Sequence, residues 1–280
     1  LIASQLPQAG WGYTNDATTA YPEPTCYSLI ALADSNFDRQ ASLDWLSGFV
    51  NPQGQLFLPD DDQPNWATAQ LIITLAYLDA LPEVRASSVQ WLLEWKSEYL
   101  EEKENTNQID TTIIGWSWIS STFSWVQPTS MAVLALKKAG QGSSKRVKDG
   151  EKLLLNRVCR AGGWNCGNPI IFERVMEPWP TDTAIALFAL QDVPEAGDAI
   201  ERGLAVIEEK APEASSTLSL ALGLLSLNIF ERPVDKFVKL LKARQSTDGS
   251  WNQNIWWTAL AASALQVADG GRNAFRIEKT

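Results

Sequence analysis

What most constrains this chain is a pairing of helices: one with a charged face, then a Gly-aromatic turn, then one with no charge at all. The pairing is plainest near the C-terminal end. Val234, Phe237, Val238, Leu240 and Leu241 recur at helical spacing among Asp235, Lys236, Lys239, Lys242 and Arg244, so one face is apolar and the other solvated. Over 256–265 no residue carries a charge, and the Ala and Leu there favour helix throughout. The first helix is thus expected to lie on a surface and the second to be buried all round. Between them Gly249 suits a left-handed helix stop, and Gln245 and Trp251 flank the reversal, able to hydrogen-bond and stack across it.

The same unit returns along the chain, which makes it an architecture. Buried inner helices are expected to begin at Glu23-Pro24-Thr25, Gln63-Pro64-Asn65-Trp66, Gln127-Pro128-Thr129, Trp179-Pro180-Thr181-Asp182, Glu213-Ala214-Ser215-Ser216 and Trp256-Trp257-Thr258. Proline's fixed φ and a capping Thr or Asn both suit a helix start. Gly10-Trp11, Gly115-Trp116, Gly163-Trp164 and Gly249-Ser250-Trp251 mark turns, Gly54-Gln55-Leu56 is a weaker copy, and the fifth inner helix lacks one. Amphipathic outer helices are expected over 41–50, 84–102, 144–160, 195–210 and 232–244. Residues 1–10 read as the tail of a truncated first outer helix, and the segment after Gly271 as a sixth outer helix or a truncation scar.

Gln245-Ser246-Thr247-Asp248-Gly249-Ser250-Trp251 resembles the Q-x-x-x-G-x-W repeat of squalene and hopene cyclases. The whole pattern is similar to the α/α-toroid superfamily of terpenoid cyclases and protein prenyltransferase β subunits. That resemblance implies an all-α fold, an α/α toroid of about six inner and five to six outer helices, and an isoprenoid in a central cavity. One core distributed over residues 1–280 is expected to form a single domain, without β-sheet.

Composition removes several functions. Lys and Arg number 23 against 33 Asp and Glu, a net charge of −10 with no basic patch, which argues against nucleic acid. No apolar run reaches the roughly twenty residues of a membrane helix, so no transmembrane segment is expected. Cys26, Cys159 and Cys166 lack C-x-x-C spacing and read as free thiols, with a cytoplasmic setting the default. There is no histidine at all. That excludes Ser-His and Cys-His nucleophile pairs, and with them the Asp-Cys-His zinc site of the prenyltransferase branch. No metal and no cofactor are expected.

In a toroid the inner N-termini form the rim of the cavity. Asp182-Thr183-Ala184 resembles the end of the Asp-x-Asp-Asp-Thr-Ala motif of class II terpene cyclases, with Trp179 and Thr181 in place of the two earlier aspartates. Asp182 is therefore the candidate acid, with Glu177 and Glu23 as its candidate partners. Trp66, Trp179, Trp256, Trp257, Tyr27 and Glu213 are the candidate ligand contacts, since aromatic faces stabilise cations and stack on rings. Each acid also reads as an ordinary helix cap. Asp60-Asp61-Asp62 has the composition of a Mg²⁺-diphosphate site but not its spacing, and reads as a solvated loop before a helix. Trp11, Trp116, Trp164 and Trp251 are assigned to wedging the turns.

Three activities stay open. One is an isoprenoid-binding, terpenoid-cyclase-like protein, an isomerase or lyase that cyclises by class II protonation. Another is a non-catalytic toroid binding a lipid or a partner. The last is a carbohydrate-active toroid using two of the carboxylates. A closed apolar cavity favours the first, an axis plugged by side chains the second, and an open acid-lined one the third.

Overall fold

The computed structural model describes residues 1–61, 63, 66–99 and 109–278. Its described residues form an α/α toroid of eleven helices. The inner helices are α1 (Pro22–Ala31), α3 (Ala67–Leu78), α5 (Val126–Lys138), α7 (Pro180–Leu190), α9 (Thr217–Ile229) and α11 (Ile255–Ala268). Each packs against the next, and α11 packs back on α1, closing the ring. The outer helices are α2 (Gln40–Ser47), α4 (Pro82–Glu94), α6 (Lys145–Asn156), α8 (Gly197–Glu213) and α10 (Asp235–Ala243).

Local chemistry sets the inner starts. Prolines open α1 and α7, while Ser216 Oγ accepts from Ser219 N (3.3 Å) and Asn254 Oδ1 from Trp257 N (2.9 Å) to cap α9 and α11. One device then joins the layers in almost every repeat. The backbone N–H of Trp11, Trp116, Trp164 and Trp251 donates to Thr25, Thr129, Thr183 and Thr258 Oγ1 at 2.9, 2.9, 2.9 and 3.0 Å, and Leu56 N does so to Thr68 Oγ1 at 3.3 Å. Each of the four indoles donates in turn to a carbonyl of the preceding outer segment: Leu1, Leu92, Leu154 and Leu241. The four tryptophans are buried wedges. At Gly163 (φ +66°) a Cβ would stand 2.7 Å from Thr183 Oγ1, so only glycine lets the turn close onto the clip.

Several boundaries differ from those the sequence suggested. Helix α4 stops at Glu94, where Trp95 turns extended, and the proposed end at Glu102 lies outside the described residues. Residues 1–10 hold only a 3₁₀ turn, Ile2–Ser4, yet Leu1 supplies the carbonyl that an outer helix supplies elsewhere. Against the expectation of no sheet, a two-residue antiparallel ladder, Ile170–Ile171 with Arg174–Val175, folds the loop before α7. The apolar interior falls into two clusters sharing α1 and α3. Tyr27, Ile30, Ile72 and Ile73 enter the larger, and Cys26, Leu29, Leu71 and Leu75 the smaller, behind which α2 packs.

The C-terminal segment is not a sixth outer helix. It turns back under the ring, where Phe275, fully buried, stacks on Phe188 of α7 (centroids 4.6 Å, 10°) and tilts toward Tyr27 of α1 (6.5 Å). Asn273 Nδ2 donates to Leu225 O (3.0 Å) and Gln191 Nε2 to Phe275 O (2.9 Å), tying this plug to α9 and to the end of α7.

Candidate functional site

The threonine clips fix how each inner helix is rotated. Every clipped threonine faces the outer layer, so the residue two places earlier lies about 160° round the helix and faces the axis. That puts Glu23, Trp66, Gln127, Thr181 and Trp256 in one layer at the mouth of the ring. Residues two places after the threonines form a second layer, Tyr27, Gln70, Met131, Ile185 and Leu260, and all are buried. Beneath them stand Phe188 and Phe275. Among the described residues the axis is therefore filled by side chains below its first layer, and the expected central chamber is reduced to its mouth.

Glu23 is the carboxyl that this register turns inward. It is 4% exposed, and Tyr13 Oη donates to its Oε2 at 2.8 Å. Burial raises its pKa from an ordinary 4.5 to about 8 against the opposing Tyr13 hydrogen bond, so it is mostly protonated at neutral pH. Burial, reinforced by Glu23, also pushes the Tyr13 phenol far above its ordinary value. Tyr13 comes from the polar loop ahead of α1. Closure of the ring brings it there, because Ile255 N donates to Tyr13 O (2.8 Å) and Thr14 pairs with Asn254. Trp256 lies 6.5 Å from Tyr13 edge-on and 6.0 Å from Tyr27. Its Nε1 is buried without a hydrogen-bond partner, although the indole sits close enough to the Tyr27 hydroxyl to oppose the burial that raises that phenol. Trp66, half-buried, meets Trp118 edge-on at 5.3 Å and donates its backbone N–H to Trp118 O.

Asp182 stands elsewhere. One place before its clipped threonine, it lies about 100° off the outward direction and faces the seam toward α5. Cys166 is its electrostatic neighbour there, and Cys166 O accepts from Val126 N at the start of α5 (3.0 Å). Asp182 is 6% exposed, Thr181 Oγ1 donates to its Oδ2 at 3.2 Å, and burial raises its pKa from 3.8 to about 6.

Other candidates do not join the mouth. Glu177 is exposed and pairs with Lys210 of α8 (2.6 Å), away from the mouth layer; with Asp182 it shares Cys159 as an electrostatic neighbour. Glu213 is the exposed last residue of outer helix α8; the inner helix begins only at Thr217, after a Ser216 cap, because Pro212 is accommodated within α8. Trp257 shares the seam position of Asp182. Trp179 is 49% exposed, at the N-cap of α7. Asp60 accepts from Tyr21 Oη at the start of α1 (3.1 Å), and Asp61 accepts from Gln63 N within the loop (2.9 Å). Asp62 and Asn65 lie outside the described residues. Tyr13 was not singled out from the sequence; the threonine register and the closure of the ring are the signals that find it.

The shift at Glu23 predicts a pH dependence. A carboxyl whose folded pKa is raised holds its proton longer in the native state, so stability falls as pH rises from about 4.5 through about 8. Asp182 acts in the same direction between 3.8 and about 6. Urea unfolding at several pH values is expected to show this decline, and Glu23→Gln to flatten its upper half. An unchanged profile in that variant would refute the burial of a neutral Glu23.

No family profile matches the sequence, and no curated protein matches it. Solved structures match its fold. An α-amylase described as novel, from Clostridium perfringens, superposes with TM-score 0.65 over 95% of this chain and 94% of its own, at 12% identity. The type II terpene cyclase MstE from Scytonema gives 0.61 over 90% and 76%, at 14% identity. An ent-copalyl diphosphate synthase from Streptomyces platensis gives 0.57 over 89% of this chain, which spans 50% of that one, at 14% identity. The chain has the terpenoid-cyclase-like α/α-toroid fold, shared with an amylase.

Proposed function

We propose that this toroid binds the end of an isoprenoid, or a similar apolar small molecule, at its axial mouth. The observation that carries the reading is the mouth layer itself: Trp66 and Trp256 stay half-buried above an axis that side chains fill, and the half-buried Trp118 meets Trp66 edge-on beside them. Partly exposed aromatic surface gathered at one end of a ring is unlike ordinary scattered exposure, and its burial is the driving force available to an apolar ligand. Variants of MstE have been solved with geranylgeranyl dihydroxybenzoate as substrate and with merosterolic acid A as product, which supplies the ligand class.

The neutral Glu23 favours a second reading in which the bound end is also protonated. Tyr13 donates to Oε2, which leaves the proton on Oε1 and stabilises the carboxylate once that proton has gone. Trp256, edge-on to Tyr13 at 6.5 Å and 6.0 Å from Tyr27, supplies aromatic surface beside it for a developing cation. One acid is enough for this chemistry. Glycoside hydrolysis needs two carboxyls about 5–9.5 Å apart. Helices packed about 8–10 Å from their neighbours put opposite members of a six-membered ring about 16–20 Å apart. Since α1 and α7 are opposite and Asp182 is turned to the seam, Glu23 and Asp182 do not form such a pair.

Titration with geranylgeraniol, followed by product analysis after long incubation, tests both readings. Saturable binding is expected, weakened roughly tenfold by Trp66→Ala or Trp256→Ala. If turnover occurs, Glu23→Gln is expected to lower it by at least about 100-fold while Asp182→Asn leaves it near wild type. Loss confined to Asp182→Asn would move the acid to the seam. Binding without products retains the binding reading alone; absence of binding removes both.

A further inference from the structure

Outside the ring, beside the start of α5, a cavity of about 290 Å³ opens between the segment before that helix and the loop at 165–168. Ile109, Ile113, Phe123 and Trp125 give it apolar walls, and Arg157 and the exposed Glu98 also line it. Arg157 follows the last residue of α6 and is 5% exposed. Its guanidinium donates to Asp110 O (3.2 Å) and to the Asn156 side chain, both neutral acceptors. No salt bridge to it forms among the described residues.

A buried guanidinium whose direct partners are neutral, with the Asp110 carboxylate acting on it only from a distance, is costly, and that cost falls when an anion arrives in direct contact. Burial lowers the Arg157 pKa to about 10, opposed by Asp110, so it stays charged across the physiological range. Arg146 is a useful contrast. It too is tied to loop carbonyls, but its guanidinium stacks 3.9 Å from the Trp116 ring, whereas Arg157 borders open space. The exposed Glu98 repels a second negative charge, and the volume lies at the lower edge of small-molecule sites.

From this arrangement we infer a second binding site, separate from the axial mouth, for a small monoanionic amphiphile. Its carboxylate pairs with Arg157 and its aromatic or short hydrocarbon body lies along Ile109, Ile113, Phe123 and Trp125. A polyanion such as a diphosphate is disfavoured by Glu98.

Calorimetric titration of the whole chain with hydrocinnamate and with its neutral amide tests the site. The acid is expected to bind at least roughly tenfold more tightly than the amide, the difference a charge-assisted bidentate pair makes. Phe123→Ala, at an exposed position, is expected to weaken the acid several-fold, and Arg157→Gln to erase the preference for acid over amide. Glu23→Gln, in the other site, is expected to change neither. Equal binding of acid and amide, binding unaffected by Phe123→Ala, or loss of binding in Glu23→Gln would each overturn the assignment. Because Phe123 is solvent-exposed, that arm stands even if Arg157→Gln fails to fold.

Discussion

Trp164→Ala is expected to lower the unfolding free energy by about 3–5 kcal/mol, the range for emptying a buried aromatic site. Trp164 is fully buried; its indole N–H reaches Leu154 O at 2.7 Å and its backbone N–H reaches Thr183 Oγ1 at 2.9 Å. A Cβ on Gly203 of α8 would stand 3.0 Å from the ring, so α8 packs directly against the indole and loses that contact in the variant. Thr183→Val separates the clip from the wedge. It keeps the shape, removes the acceptor of a buried N–H, and is expected to cost about 1–3 kcal/mol. Trp66→Ala, at the half-buried mouth, is the control and should cost less than either. Urea unfolding measures all three, and a Trp164→Ala loss below about 1 kcal/mol would show that the turns are held by something other than the wedge.

The second large effect is expected at Lys137, in the last turn of α5. Its Nζ is 2.8 Å from Glu151 Oε1 on α6, also meets Asp192 after α7, and donates to Ala189 O at 2.7 Å. Lys137 and Glu151 are 7% and 5% exposed, so they join three helices through a nearly dry contact. Lys137→Met leaves Glu151 buried with only Lys148, and Ala189 O without its donor. Breaking such a pair from one side costs about 3–5 kcal/mol, whereas replacing both partners with apolar groups is often nearly neutral. Lys137→Met is thus expected to destabilise strongly, and Lys137→Met with Glu151→Leu to recover most of the loss. A double variant no more stable than the single one would mean that the charges themselves, rather than their mutual satisfaction, hold the helices together.

Both experiments act on parts of the protein that differ in how far they are legible in the sequence. The wedge tryptophans follow from spacing: a glycine, an aromatic residue and then a helix without charge repeat often enough to mark the turns. The Lys137 contact does not, because a lysine near the end of an uncharged helix has the same pattern as one pointing into solvent. Glu23, Trp66 and Trp256 at the mouth, and Tyr27 in the layer below, were legible as residues near inner helix starts, but Tyr13 was not. It lies in a loop whose place is set by the meeting of the first and last inner helices. Glu213 shows the converse failure. A Ser-rich stretch resembling a helix start belongs to α9, while the acid just ahead of it completes α8.

The sequence by itself determined the alternation of layers, since charge on one face or on none decides whether a helix meets water. It also determined the turns; at Gly10, Gly115 and Gly163 a Cβ would run into the clipping threonine. Only the tertiary structure decided which side of each inner helix faces the axis. A helix that is apolar all round has no hydrophobic face to set its rotation, so adjacent residues such as Thr181 and Asp182 cannot be told apart until a hydrogen bond fixes the phase. That bond, from the Trp164 N–H to Thr183, turns Thr181 inward and Asp182 into the seam; its counterpart from Trp11 to Thr25 turns Glu23 inward, beneath Tyr13. The filling of the axis by Phe275 was likewise invisible to pattern. A tail of irregular structure carries no periodicity, and it is held there by Asn273, Gln191 and the stacked ring of Phe188.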